Sequence, residues 1–223
     1  MSVKLIVFLT KDDKTVPDAL EIFEENKHSP APYWGFKDTG IDLKQAKKLY
    51  AEMKNAGKNV FFESLAENAE AGLAAAKFAV EVNCDYLIGM QYFEAVHEHL
   101  KNNGIKFFPT CGARSGIPRM LHGSISDVVN DGKKVRDKAV EGLCLSMYRF
   151  TGGDPEKLAE EFVGALDIPV IITGSINDQQ RLDVIKRLNP WGITIGSAFF
   201  NNSFGEGMSF SEQVDKVTSY LLG

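Results

Sequence analysis

The chain has 223 residues, 44% of them apolar and 25% charged, with a net charge of −5. This length and balance suit one large globular domain over residues 1–223 and exclude a disordered or fibrous chain. Lysine and arginine are dispersed through an acidic chain, which argues against a general nucleic-acid binder, and no apolar run approaches the roughly 20 residues of a membrane span.

The start, MSVKLIVFLTKDD, is too short for a secretory signal and reads as a first strand, Val3–Leu9, with its loop. Helix Pro17–Asn26 follows, with proline at its start. Strand two is predicted over Tyr33–Phe36 and ends in Lys37-Asp38. Leu43, Ala46, Leu49, Tyr50 and Met53 keep a helical stripe through Asp42–Ala56, which Gly57 ends. Strand three is Asn59–Phe62, ending in Glu63; an alanine-rich helix, Asn68–Val82, follows. Strand four is Asp85–Ile88, then helix Phe93–Leu100, then strand five at Ile105–Phe108. Cys111–Gly123 holds several Gly and Pro and is predicted as a long loop whose Arg114, Ser115 and Arg119 suit a lid over an anion. A helical stretch runs from Ser126 to Glu141, interrupted near Gly132. Strand six, Leu143–Tyr148, ends in Arg149 and leads to helix Glu156–Leu166.

The most informative stretch is Pro169–Phe200. Two short apolar runs, Val170–Ile172 and Ile193–Ile195, suit parallel strands buried on both faces. The first ends in Thr173-Gly174-Ser175 and the second in Gly196-Ser197-Ala198, with helix Asp178–Leu188 between them. Small residues there let backbone N–H groups approach an anion, and two such corners one β-α-β step apart make a phosphate cradle. Helix Ser211–Leu222 closes the chain. Eight strands alternating with helices require right-handed crossovers and a parallel sheet. The paired corners favour a closed (β/α)8 TIM barrel over an open sheet, and no glycine fingerprint for a dinucleotide follows strand one.

Thr173-Gly174-Ser175-Ile176 followed by Ile195-Gly196-Ser197-Ala198-Phe199 resembles the phosphate-binding end of the ribulose-phosphate-type (β/α)8 barrels, which include sugar-phosphate epimerases, decarboxylases and aldolases. The string Ile105-Lys106-Phe107-Phe108-Pro109 resembles the lysine strand of the 2-keto-3-deoxy-6-phosphogluconate aldolases, which implies a Schiff base at Lys106. The match departs in order. Here Leu143–Tyr148 lies between the lysine strand and the phosphate strands, and Lys37-Asp38 stands where that family has its acid-base glutamate.

In such a barrel chemistry sits where strands end. Alternation puts Lys106, Phe108 and Thr110 on one face of strand five. An inward Lys106 would be desolvated and nucleophilic; at the strand's N-terminal end its ammonium would sit in solvent or in a pair. Lys37 and Glu63, at adjacent strand ends, read either as a positioned general base or as an ion pair closing the mouth, with Asp38 beside them. Arg149 can hold a carboxylate or phosphate through two bonds, and Thr110 is a substrate-side hydroxyl. Cys111 reads as a small buried residue and Asp12-Asp13 as solvated loop carboxylates. His28, His97, His99 and His122 form no metal-ligand pattern, so no metal or cofactor is expected. The three widely spaced cysteines fit a reduced, cytoplasmic compartment.

The expected partner is a small phosphorylated metabolite held by Gly174, Ser175, Gly196 and Ser197; homo-oligomer formation is left open. The resemblance implies an aldolase-type lyase with Lys106 as nucleophile, Glu63 as proton carrier and Lys37 and Arg149 as anion holders. Two alternatives stand beside it: an isomerase or epimerase using Glu63 and Asp38 without covalent chemistry, and a non-catalytic regulator that binds a phosphorylated metabolite.

Overall fold

The structure is a computed structural model and describes residues 2–116 and 118–223. The barrel strands are β1 (Lys4–Phe8), β2 (Tyr33–Lys37), β3 (Asn59–Glu63), β4 (Tyr86–Gln91), β5 (Lys106–Thr110), β6 (Leu143–Leu145), β7 (Val170–Ile172) and β8 (Gly192–Ile195). Each pairs in parallel with its chain neighbour, and β1 pairs with β8 through Lys4↔Gly192 to Val7↔Ile195, so the sheet closes. The outer ring is α1 (Ala19–Asn26), α2 (Leu43–Asn55), α3 (Ala69–Glu81), α4 (Glu94–Lys101), α5 (Ile125–Arg136), α6 (Pro155–Ala165) and α7 (Gln179–Leu188), followed by a short α8 (Ser197–Phe200) and α9 (Phe210–Leu222). Side-chain oxygens of Asp42, Asn68, Ser124, Asp154, Asp178 and Ser209 cap six of these helices, which fixes where each leaves its loop. Among the described residues no helix is long and apolar enough to cross a membrane.

Two apolar regions follow from strand alternation. Residues facing the helices, such as Val7, Trp34, Phe62, Leu87 and Phe107, form the larger core. Ile6, Phe8, Phe61, Tyr86, Ile88, Phe108, Cys144 and Ile171 fill the barrel interior. Gly35 faces inward because Phe8 needs the room: a Cβ there would lie 2.8 Å from Phe8 Cζ. The interior files are therefore apolar in the middle and turn polar at the C-terminal strand ends, where Lys37, Glu63 and Thr110 continue the same parity.

Four expectations change. The loop after strand one is a tight hairpin, Thr10–Lys11 with Lys14–Thr15, whose two turn residues Asp12 and Asp13 have φ of 51° and 61°. That is the turn with two left-handed central residues, which matches strand twist. The segment predicted as a long loop is also a hairpin, Ala113–Ser115 with Met120–His122; Ile117, within it, lies outside the described residues. Buried Leu121 anchors it against Gly112 and bridges to Phe150. Strand six stops at Leu145, and Met147–Arg149 forms a 3-10 turn instead. The helix over Ile125–Arg136 is uninterrupted at Gly132, where the absent side chain admits Phe162: a Cβ would lie 2.6 Å from its ring.

Candidate functional site

A cavity of about 200 Å³ opens at the C-terminal ends of the strands. Of the residues singled out by sequence, Lys37, Glu63, Thr110, Arg149, Gly174, Ser175, Gly196 and Ser197 all line it. The inward parity of β2, β3 and β5 brings the first three there. The 3-10 turn after β6 folds Arg149 back over the mouth.

The charged centre is a chain of four groups. Lys37 Nζ lies 2.8 Å from Asp13 Oδ1 and 3.3 Å from Glu63 Oε1. Arg149 reaches the same Asp13 carboxylate with two guanidinium nitrogens, at 3.1 and 3.3 Å. Burial opposes the Lys37 ammonium, but Glu63 and Asp13 outweigh it and hold the lysine pKa above its ordinary value. Burial likewise pushes Asp13 up, and the Lys37 and Arg149 charges with their hydrogen bonds more than reverse it, so Asp13 stays below the usual carboxylate range. Lys37 is thus a protonated, immobilised cation between two carboxylates.

The opposite wall is backbone. β7 and β8 are paired at Ile172↔Ile193, so the corners that follow them are neighbours. The N–H groups of Gly174, Ser175, Gly196 and Ser197 donate to no acceptor among the described residues. Gly174 and Ser175 both have positive φ, 77° and 60°, the second an uncommon conformation for a residue with a side chain. Arg181, in the first turn of α7, holds it: its guanidinium donates to the Ser175 carbonyl and to Asn177 Oδ1 and lies 4.3 Å from the Tyr148 ring centroid. Arg149 packs under the same corner, since a Cβ on Gly174 would lie 2.9 Å from its Nε. Ser197 Oγ accepts from the Asp12 N–H at 3.0 Å, tying the first hairpin to the second corner.

Two candidates lie elsewhere. Lys106 is the first residue of β5, exposed, at the end of the barrel away from the cavity. Its Nζ sits 4.8 Å from the Tyr86 ring centroid and 3.3 Å from the Tyr86 hydroxyl. It shares a file with Phe108 and Thr110, as alternation predicts, but Phe108 stands between it and Thr110, so the ammonium does not reach the ligand space. Asp38 follows inward-facing Lys37, so alternation turns it to the exposed outer rim. Cys111 is buried, and burial pushes its thiol up.

Sequence reasoning passed over Asp13 and Arg181. An acidic pair after a strand reads as a solvated turn, and only the hairpin geometry folds Asp13 inward. Arg114, read as a lid residue, does line the cavity, and its Nη2 donates to the Gly89 carbonyl at 2.8 Å. Gly89 gave a usable signal: a glycine inside a strand marks a close approach. With φ of 100°, it leaves room for Glu63, whose Cγ would be 2.5 Å from a Cβ there.

No protein-family model and no curated protein matches the chain. Solved structures do match in fold. Orotidine 5'-monophosphate decarboxylase from Methanocaldococcus jannaschii superposes with a TM-score of 0.72 at 16% identity, covering 100% of both chains. The native KDPGal structure gives 0.67 at 12%, covering 100% of this chain and 97% of the other. N-(5'-phosphoribosyl)anthranilate isomerase from Pyrococcus furiosus gives 0.63 at 15%, covering 97% and 99%. The closed parallel barrel and these full-length superpositions together make the chain, in architecture, a TIM (β/α)8 barrel.

Proposed function

We propose that this barrel is an enzyme acting on a small phosphorylated metabolite by proton transfer, as a sugar-phosphate isomerase or epimerase. The phosphate is held by the free N–H groups of Gly174, Ser175, Gly196 and Ser197, on the loops after strands seven and eight where such barrels commonly bind phosphate. Glu63 removes a proton from the carbon beside the substrate carbonyl. Lys37, kept cationic, stabilises the oxygen on which negative charge develops, and Thr110 lies within reach of the same space. For isomerisation Glu63 then gives the proton to the neighbouring carbon while the hydroxyl proton passes to the former carbonyl oxygen; for epimerisation water reprotonates the same carbon on the face opposite Glu63. Asp13 touches no reacting atom in this scheme; it positions Lys37 and Arg149.

The observation that carries this reading is Lys37 between Asp13 and Glu63 in the cavity, 2.8 and 3.3 Å from them. A lysine held protonated is an electrostatic group rather than a nucleophile. This favours the non-covalent alternative over the Schiff-base aldolase, whose lysine, Lys106, stands outside the cavity. The test is proton NMR in heavy water with a panel of aldose, ketose and keto-acid phosphates. Deuterium should enter the carbon beside the carbonyl, and Glu63→Gln should slow its entry at least about 100-fold. Borohydride should leave no adduct. A substrate-dependent adduct on any lysine restores the aldolase, and phosphate-dependent binding without exchange or turnover across the panel supports the regulator.

A further inference from the structure

The charges around the cavity do not balance, and the excess sits at one place. Lys37 faces Asp13 and Glu63, Arg149 faces Asp13, and Arg119 is paired with Glu67 on the rim. Arg114 has no carboxylate within ion-pair distance among the described residues. Its Nη2 bonds only the Gly89 carbonyl, and its Nε is buried with no acceptor. Burial works against this guanidinium and lowers its pKa by more than the nearby Glu63 charge raises it. A part-buried cation without an anion is costly, and the cost is removed when a ligand brings the anion.

Its position matters as much as its charge. Arg114 is rooted just after β5 and bonded to β4. The phosphate corners follow β7 and β8. In the closed order β4 stands four strands from β8, directly across the mouth. Lys37 and Glu63, at the ends of β2 and β3, lie to one side between these two ends.

We propose that Arg114 is the anchor for a second anionic group, a carboxylate, so that the ligand is a phosphorylated carboxylic acid gripped at both ends of the cavity. This rests on the phosphate site proposed above. One unmatched positive charge suits a monoanion, and the planar guanidinium fork matches a carboxylate through two bonds. Glu63 sets the limit: a second dianion near it would meet repulsion that a carboxylate halves. The two-ended grip also places the carbons between the anions beside Lys37 and Glu63.

Calorimetry with matched pairs tests this: phosphoglycolate against ethyl phosphate, and 6-phosphogluconate against glucose 6-phosphate, with inorganic phosphate as reference. The wild-type chain should bind the acid of at least one pair about ten-fold or more tighter than its neutral partner. Arg114→Gln, which keeps a donor for the Gly89 carbonyl and drops the charge, should abolish that preference while inorganic phosphate and the neutral partners bind within about two-fold of wild type. Arg114→Lys, should the first variant not fold, should reduce the preference and leave part of it. Equal binding of acid and neutral partners, or a preference that survives both substitutions, overturns the inference while leaving the phosphate site standing. Failure of every phosphate compound, inorganic phosphate included, to bind the wild-type chain overturns both.

Discussion

At the scale of single residues the site depends on groups whose chemistry is ordinary and whose placement is not. Gly89 is the sharpest case, because its positive φ and its contact with Glu63 exclude a side chain on two independent grounds. Gly89→Ala should lower stability by about 1–3 kcal/mol and, by displacing Glu63, slow deuterium exchange more than the stability loss explains. Urea midpoints and exchange rates on the same sample check both. Asp13 makes a pH prediction. Its pKa is below its unfolded value of 3.8, so its contribution is full above that pH and is lost as pH falls through the lower folded value. Lys37 has the opposite sign: its contribution is full below 10.5 and is lost as pH rises through the higher folded value. Asp13→Asn should therefore destabilise the chain at neutral pH, with the gap to wild type closing below pH 3.8; a gap that persists unchanged into acid would deny Asp13 this role. Lys37 and Glu63 were legible in the sequence because each ends a strand; Arg149 was legible as the end of the sixth βα unit, although it sits in the 3-10 turn that follows the strand. Asp13 was not, because its inward turn is set by two left-handed residues and by contacts with Lys37 and Arg149 from distant parts of the chain.

At the scale of elements, loops decide what the barrel can hold. Helix α7 does more than cross from β7 to β8, since its first-turn Arg181 claims the Ser175 carbonyl and the Asn177 side chain. With those acceptors occupied, the corner's own N–H groups stay free for a ligand. Arg181→Met should weaken inorganic phosphate binding about ten-fold, equivalent to about 1.4 kcal/mol, with a smaller change in thermal midpoint; an unchanged affinity would show that the corner holds itself. The hairpin Ala113–His122 is a second device. His122 sits between Ser115 Oγ at 2.8 Å and Thr151 Oγ1 at 2.9 Å, and Thr151 donates its own proton to the Leu121 carbonyl. Neutral His122 therefore carries its proton on Nδ1 and accepts from Ser115 through Nε2, which fastens the arm that carries Arg114 to the loop after β6. Reading this segment as a loop followed from its glycines and proline. Only pairing between its halves, and the burial of Leu121, made it a hairpin.

For the whole molecule, the direction of the barrel separates function from support. The cavity lies at the C-terminal ends of the strands, whereas Lys106 and Lys4 lie over Tyr86 and Trp191 at the other end. Lys106→Met should leave phosphate affinity and exchange unchanged and cost about 0.5–1 kcal/mol of stability for the lost ring contact; loss of turnover with normal folding would return Lys106 to the chemistry. The sequence by itself determined the alternation of eight strands and helices, the strand-end positions of Lys37, Glu63 and Thr110, and the two glycine-serine corners. These are local properties, written in periodicity and in the residues that a turn tolerates. Closure of the sheet decided the rest, because only when β1 meets β8 do the strand ends form one ring. That ring sets Lys106 apart from Glu63, brings Asp13 to Arg149, and roots Arg114 across the mouth from the corners, with no carboxylate at ion-pair distance among the described residues. Such relations join residues far apart in the chain, and no local pattern encodes them.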